Sequence, residues 1–578
     1  MTQSNKVEDE QVDTVGILKE ADKITLGILT GITEPVHVKM NARRPPKLFE
    51  YLVVESIEPN INTNKYFLSF VEDARTASNA FSNPSFVSDN EILNFETASE
   101  AAEAGMTDSR DRGYEGHLRI VGSISELIKG NFEAPRMALD PASRVYAAPV
   151  QLLNNIFSPK GEYDEFGRMG VLASNPDVEV SFDFNAVTNF RLGIFGITRY
   201  GKTNVALSCV KNYAQKGATM VIFDITGDYS TLDNADYNNN LNVVNARIGI
   251  STLSAEEFIE LLNISDRADN QRAVLHQLFT EDLKTLDEGA FSRKLFLDLK
   301  TIAESTSRED RSLVTAARSL TNNLGPKLNR LSRVLSYGDC DTMKELKTDK
   351  INIINLRSLK TKQLDKAAGY YLKELYNRRE KSMELDEKNT HIYLNTENGE
   401  FPTPVVVLLE EAQNFIPAEK GSNKTAAIYG REIAKMGAKY GLGLIIISQQ
   451  PSKIDEDVMS QLNSKVVMRL VNDIDQNYIL KTSESLSQDL VDHFPNFSKG
   501  IGLAVGPVGK IPTIIKFDEV KNRRMGVDLN PMKMWTERKA AKQKTEEEAK
   551  EAEEFKEKTK ESADAYYKDF ADKYIKDE

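Results

Sequence analysis

The sequence predicts an α/β protein: a parallel sheet covered by helices, carrying a helical insertion and preceded by a small β-barrel domain. Three observations predict it. From about residue 190, short apolar runs alternate with longer amphipathic segments, as a parallel sheet buried on both faces requires. Before that, short apolar alternations are punctuated by Gly, Pro and Asn, which favours a small barrel or sandwich. Between 252 and 335 no strand pattern occurs, and the stretch opens with a helix-start signal.

Each element follows in chain order. The 578 residues exceed one ordinary domain. Residues 1–165 read as the barrel, from the strings at 15–18, 36–40, 49–54 and 118–122. An acidic stretch, 72–115, interrupts them as a loop with net charge −7. Residues 166–530 read as the α/β domain, with strands Leu192–Phe195, Thr219–Asp224, Ile351–Asn355, Pro404–Leu409, Gly443–Ser448 and Lys465–Leu470. The helical insertion spans about 252–345, where Ser254 and Glu257 have capping-box spacing. Residues 531–578 read as a charged helical tail, without Gly or Pro after Trp535.

Composition narrows the classes. A formal net charge of −13 argues against an overall basic coat. Most of it lies in 72–115 and in 536–578 (net −3), so the remainder is nearly neutral and can carry local basic patches. Two cysteines, Cys209 and Cys340, cannot form a disulfide framework, which predicts a reducing compartment. There is no long apolar run and the first residues are polar and acidic, so neither a membrane span nor a signal peptide is expected. A cytoplasmic protein is the expectation. The five histidines are scattered, and no His/Cys cluster suggests a transition-metal site.

The strongest signal is Gly196-Ile197-Thr198-Arg199-Tyr200-Gly201-Lys202-Thr203, which fits G-x-x-x-x-G-K-[ST]. It follows a strand and opens a helix-compatible stretch from Asn204 to Gln215. Backbone N–H groups from Gly196 to Asn204 can wrap a phosphate at the helix N-terminus. Lys202 neutralises the β- and γ-phosphates, and the Thr203 hydroxyl ligates Mg²⁺. ATP with Mg²⁺ is therefore expected. The apolar run ending in Glu410-Glu411 supplies acids at a strand tip. Glu410 is assigned to the Mg²⁺ shell and Glu411 to the attacking water as general base. Gln450, after the next strand, is assigned to sensing the γ-phosphate.

Together these pieces resemble the HerA branch of the HerA/FtsK ATPase superfamily, over roughly residues 166–520. Gly167–Leu172 looks like the linker into the ATPase domain, and Val221–Tyr229 is similar to the second strand and its D-x-x-G-E-Y turn. Gly437–Gly443 and the run Ile447–Asp455 leading to Leu462-Asn463-Ser464 match in the same order, and Ser143–Tyr146 resembles part of the preceding barrel. The resemblance implies a RecA-like P-loop domain, a homo-hexameric ring with ATP sites between subunits, and ATP-driven movement of double-stranded DNA. It also implies a separate effector, a nuclease or a sirtuin-like NAD-consuming enzyme, in DNA processing or anti-phage defence. A scaffold that activates the effector with little translocation is the alternative. Four positions depart from the family pattern: Arg199-Tyr200 for Gly-Ser, Glu410 for Asp, and Ala438 for Arg. Arg191, Arg431, Lys435 and Lys439 are the candidates for acting across the subunit boundary. Arg308, Arg311, Arg318, Lys327, Arg330 and Arg333 are candidates for contacting DNA phosphates, as is the loop at 419–424.

Overall fold

A computed structural model describes residues 24–31, 33–58, 63–78, 112–131, 133–305, 311–388, 401–419, 424–484, 486–509, 511–520 and 531–574. Contacts divide the chain into two units, Met1–Asn522 and Arg523–Glu578.

The first unit begins with six antiparallel strands: β1 (Thr25–Thr30), β2 (His37–Ala42), β3 (Tyr51–Glu58), β4 (Thr63–Ser78), β5 (Arg112–Ser123) and β6 (Arg144–Ala147). They close in the order β1-β2-β5-β4-β3-β6, so the sequence's choice between barrel and sandwich resolves to a barrel. Alternation explains the closure: in β2, Val38 and Met40 point inward while His37, Lys39 and Asn41 point out. Strands β4 and β5 run further into the stretch 72–115 than the sequence reading has them, pairing as far as Ser78 and Arg112. Long-range strand pairing there overrides the polar composition. The remainder of that stretch, and the string at 15–18, lie outside the described residues.

Next comes an eleven-stranded sheet in the order β11-β14-β10-β15-β16-β9-β17-β18-β19-β7-β8. Its members are β7 (Phe166–Leu172), β8 (Glu179–Asp183), β9 (Leu192–Phe195), β10 (Thr219–Asp224), β11 (Leu241–Asn245), β14 (Ile351–Asn355), β15 (Val405–Leu409), β16 (Leu442–Ser448), β17 (Ser464–Val467), β18 (Ile501–Val505) and β19 (Thr513–Phe517). From β11 to β17 every pair is parallel; from β17 to β8 every pair is antiparallel. The central strands β9, β10, β15 and β16 are buried throughout, as their unbroken apolar runs demand. Gly167–Leu172, read as a linker, is strand β7 paired to β19: Gly170 allows the close approach of Lys516 and Phe517.

The insertion is helical and is bracketed by a two-stranded parallel sheet, β12 (Ile248–Gly249) with β13 (Leu335–Ser336). Its first helix, Ala255–Leu261, carries the expected capping box between Ser254 and Glu257. The second unit contains one helix, Pro531–Tyr574, 44 residues long.

Candidate ATP site

Strand register decides what meets. Phe195 on β9 pairs with Ser448 on β16, Ile446 pairs with Leu409 on β15, and Leu409 pairs with Phe223 on β10. The residues that follow therefore emerge side by side at one sheet edge: Gly196, Asp224, Glu410, Glu411 and Gln449. A doubly covered parallel sheet binds ligands at this carboxyl edge.

The phosphate loop turns on two glycines with positive φ, Gly196 (146°) and Gly201 (116°). A Cβ on Gly196 would lie 2.7 Å from Met468 Cβ, so the turn and the neighbouring strand end both require glycine there. Arg199 takes φ 66° and meets the backbone demand at the cost of a non-glycine residue in the left-handed region. Thr198 and Arg199 are exposed, Tyr200 and Thr203 half-buried. Lys202 is buried and its Nζ donates to Ile197 O at 2.9 Å, folded back along the loop. Burial pulls its ammonium down to about 8, against the opposing pull of Glu411 and Glu410.

The Asn204 side chain is engaged away from the loop. Its Nδ2 donates to Asp518 O at 2.7 Å and its Oδ1 accepts from Val520 N at 2.9 Å. The side chain ties the helix Lys202–Gln215 to the chain beyond β19, leaving only its backbone N–H for the loop.

The two acids differ sharply. Glu410 is 4 % exposed and accepts from Thr226 Oγ1 at 2.8 Å. Burial, with Asp228, Asp224 and Glu411 nearby, pushes its carboxyl up to about 8. Glu411 is half-buried and sits past the strand end at φ 50°, ψ 53°. Strand alternation therefore does not separate the pair: a left-handed turn does, and such a conformation costs of order 1–3 kcal/mol in a non-glycine residue. Glu411 accepts from Gln413 Nε2 at 2.8 Å and from Gln449 Nε2, and Ser448 Oγ donates to Gln413 Oε1 at 2.8 Å.

The amide in contact with Glu411 is thus Gln449, while Gln450 is exposed and uses its backbone N–H on Ser448 Oγ at 3.0 Å. The assignment of Gln450 to this strand tip needs that correction. The 3₁₀ turn Pro451–Lys453 follows at once, so alternation stops and Gln449 keeps the inward direction. Sequence reasoning also missed Asp224, which is fully buried and accepts from Gly227 N, Ser230 N and Ser230 Oγ at 2.7, 2.8 and 2.6 Å. It holds the turn that presents Thr226 to Glu410. The signal was available: an acid closing an all-apolar strand beside the acidic strand.

The cross-boundary candidates fare unequally. Arg191 is 7 % exposed and donates to Lys435 O at 3.4 Å in its own subunit. Burial lowers its guanidinium below the ordinary range. Buried in its own core, it is not presented to a neighbour, which corrects that candidacy. Arg431 pairs with Asp455 at 3.2 Å and Lys435 with Asp457 at 2.8 Å. Lys439 is exposed, with its Nζ 5.2 Å from the Tyr440 ring centroid.

The basic set of the insertion does not form one stripe. Arg308 lies outside the described residues, as does most of the loop 419–424. On the helix Arg311–Leu331, Arg311 and Arg318 are seven residues apart on one face, and both are exposed, although Arg318 Nε also donates to Ala303 O at 3.0 Å. Lys327 lies about half a turn away and donates to Leu262 O at 2.9 Å and Asn263 O at 3.2 Å. It caps the carbonyl end of the helix Ala255–Leu261, a structural role that removes it from a DNA-facing row. Arg330 is exposed about 100° around the helix from Arg311, and Arg333 is exposed beyond the helix end.

Among the described residues no cluster of three or more His, Cys, Asp or Glu is arranged to hold a metal. No helix among them is long and apolar enough to cross a membrane.

Comparison with known proteins agrees with this geometry. Residues 167–375 match the family model "Helicase HerA, central domain". A DNA double-strand break repair helicase HerA of Pyrococcus furiosus is 30 % identical over 440 residues, covering 70 % of this chain and 78 % of that one. The corresponding protein of Sulfurisphaera tokodaii is 29 % identical, covering 73 % and 81 %. A probable helicase of Methanocaldococcus jannaschii is 25 % identical, covering 88 % and 94 %. A phosphate loop, an acidic strand tip and an amide-bearing strand tip at one sheet edge, behind a closed barrel, go with this match: the chain belongs to the HerA helicase family.

Proposed function

We propose that this protein is an ATP-hydrolysing homo-hexameric ring that moves double-stranded DNA, works with a nuclease or a sirtuin-like NAD-consuming effector, and acts in the cytoplasm in DNA processing or anti-phage defence. One observation carries the ATPase part: Lys202, Glu410, Glu411 and Gln449 come from three loops and meet at one edge of the sheet. The names of the relatives, DNA double-strand break repair helicases, support the DNA part.

The residues fit Mg²⁺. A carboxyl as buried as Glu410, short of counter-charge among three other acids, is what a divalent cation would compensate. Thr203 and Glu410 would hold the ion, with phosphate oxygens completing its shell. When bound, it neutralises charge between the β- and γ-phosphates. Lys202 would leave Ile197 O for the phosphates, a short swing for a flexible stem. Glu411, oriented by Gln413 and Gln449, would orient the attacking water and accept its proton.

A slower, scaffold-like ring is favoured by a second observation. Arg431 and Lys435 are paired with acids of their own chain, and Arg191 is buried. The test measures turnover with and without duplex DNA, and with and without the partner, alongside Lys202→Ala. Lys202→Ala should abolish turnover, and DNA should stimulate the parent protein. Unchanged turnover in Lys202→Ala overturns the ATP-site assignment. Stimulation by the partner alone decides for the scaffold.

A further inference from the structure

The departure Arg199-Tyr200 in the phosphate loop has a counterpart elsewhere in the chain. Tyr200 packs against Arg469, whose guanidinium carbon lies 5.1 Å from the ring centroid. Arg469 Nη1 donates to the Tyr200 hydroxyl at 2.7 Å. The main chain of the same arginine grips the other side of the turn, for Arg469 O accepts from Ile197 N at 2.9 Å. Gly500 N donates to Tyr200 O at 3.0 Å and adds a third anchor. Ile197 and Tyr200 flank the exposed crown Thr198-Arg199, which includes the strained residue at φ 66°. One residue beyond β17 therefore clasps both flanks of the crown.

Arg469 is also unusual in its surroundings. It is half-buried, and its Nε is buried without a hydrogen-bond partner. Among the described residues, its hydrogen bonds and its ring contact are with the loop itself. A guanidinium held in this way against the loop favours an anion beside it.

We infer that Arg469, acting through Tyr200, is the positioning residue that holds the phosphate loop open for the non-reacting phosphates of a nucleoside di- or triphosphate. Where the family usually has a small residue, Tyr200 gives the loop a handle, and Arg469 is the grip. Strand order assigns the consequence. β17 flanks β9 on the side away from β15 and β16, so the grip lies opposite Glu411. It therefore governs binding more than the chemical step, and it serves ADP as well as ATP. Preformed N–H groups need not be ordered at the moment of binding, which is where the affinity comes from.

This inference rests on the ATP-site reading above, and Lys202→Ala separates the two. If Lys202→Ala retains turnover, the reading itself fails. Otherwise, KM and kcat for ATP and the affinity for fluorescently labelled ADP are measured on the full chain for Tyr200→Phe, Tyr200→Ser, Arg469→Lys, Arg469→Ala and Tyr200→Ser/Arg469→Ala. Tyr200→Phe keeps the ring and removes the hydroxyl, so a KM rise of about threefold is expected. Arg469→Ala should raise KM and weaken ADP about tenfold, with a much smaller fall in kcat, and Arg469→Lys should recover part of it. In the Tyr200→Ser background, Arg469→Ala should add less than twofold. An equal penalty in both backgrounds overturns the inference, because Arg469 then acts without Tyr200. So does a loss that falls on kcat with KM unchanged. Melting without nucleotide guards against misfolding: should Arg469→Ala melt early, the Tyr200→Phe result decides alone, and its failure to raise KM overturns the proposal.

Discussion

Two regions of this chain were rich in suggestive residues, the carboxyl edge of the central sheet and the helical insertion, and they resolved in opposite ways. At the sheet edge, residues far apart in sequence converge: Thr226 bonds Glu410, and Gln413 and Gln449 bond Glu411, beside Lys202. In the insertion, neighbours in sequence diverge: Arg311 and Arg318 face one way, while Lys327 is spent on a helix end. A parallel sheet fixes the level of every strand tip through its register, so acids placed after strands must meet. A helix distributes residues around its axis, so a basic run need not share a face.

The sharpest way to break this contrast is to disarm the sheet edge. Glu411→Gln keeps the size of the side chain and removes its basicity. Turnover is expected to fall about 10²–10⁴-fold, the usual contribution of a general base, while labelled-nucleotide binding persists. An equal loss of binding would show that Glu411 holds the loop rather than the water. Gln449→Ala should cost less in kcat, since it removes an orienting partner and not the base.

Asn204→Ala tests whether the phosphate-loop helix is locked from behind. It leaves Asp518 O and Val520 N without their partners. Asp518 is exposed and Val520 half-buried, so a loss of about 1–2 kcal/mol is expected from urea unfolding, two net hydrogen bonds at about 0.5–1.5 kcal/mol each. An unchanged midpoint would mean that water replaces the amide.

Legibility follows the same physics. Strands β9, β10 and β14 were readable to the residue because burial on both faces leaves an unbroken apolar signature. The antiparallel end of the sheet was not: β7 contains three interruptions by Gly and Arg, and pairing with β8 and β19 makes it a strand. The barrel's strands were readable in part, but where β4 and β5 end was not, since their distal halves are polar. At the site, Lys202, Glu410 and Glu411 were legible from local motifs. Gln449 against Gln450 was not, because the choice depends on a turn that begins one residue later. Asp224 and Arg469 were missed because their importance comes from neighbours in the sheet rather than in the chain.

The pH response separates Glu410 from Glu411. Glu410 rises from 4.5 to about 8 on folding. Between those values the native state holds a proton that the unfolded chain releases, so this group makes stability fall as pH rises, by at most about 1.4 kcal/mol per unit. Glu410→Gln removes the titration. Relative to the parent without nucleotide, the variant should therefore gain stability as pH climbs from about 5 to about 8, and show a flatter melting profile. Equal slopes in both proteins would place the Glu410 charge in solvent, against its burial.

The smallest effects belong to the insertion, and they test whether its scattered charges act separately. Arg311→Ala/Arg318→Ala removes the one exposed pair that shares a face. If that face meets DNA phosphates, affinity falls at every sequence, and the slope of log affinity against log salt becomes shallower by up to about two. Lys327→Met should leave DNA affinity unchanged and lower stability by about 0.3–1 kcal/mol, through loss of its contact with the helix end at Leu262 and Asn263. The two variants thus predict opposite readouts from neighbouring basic residues on one helix. A salt slope that moves with Lys327→Met would restore a single basic stripe and erase the contrast between helix and sheet.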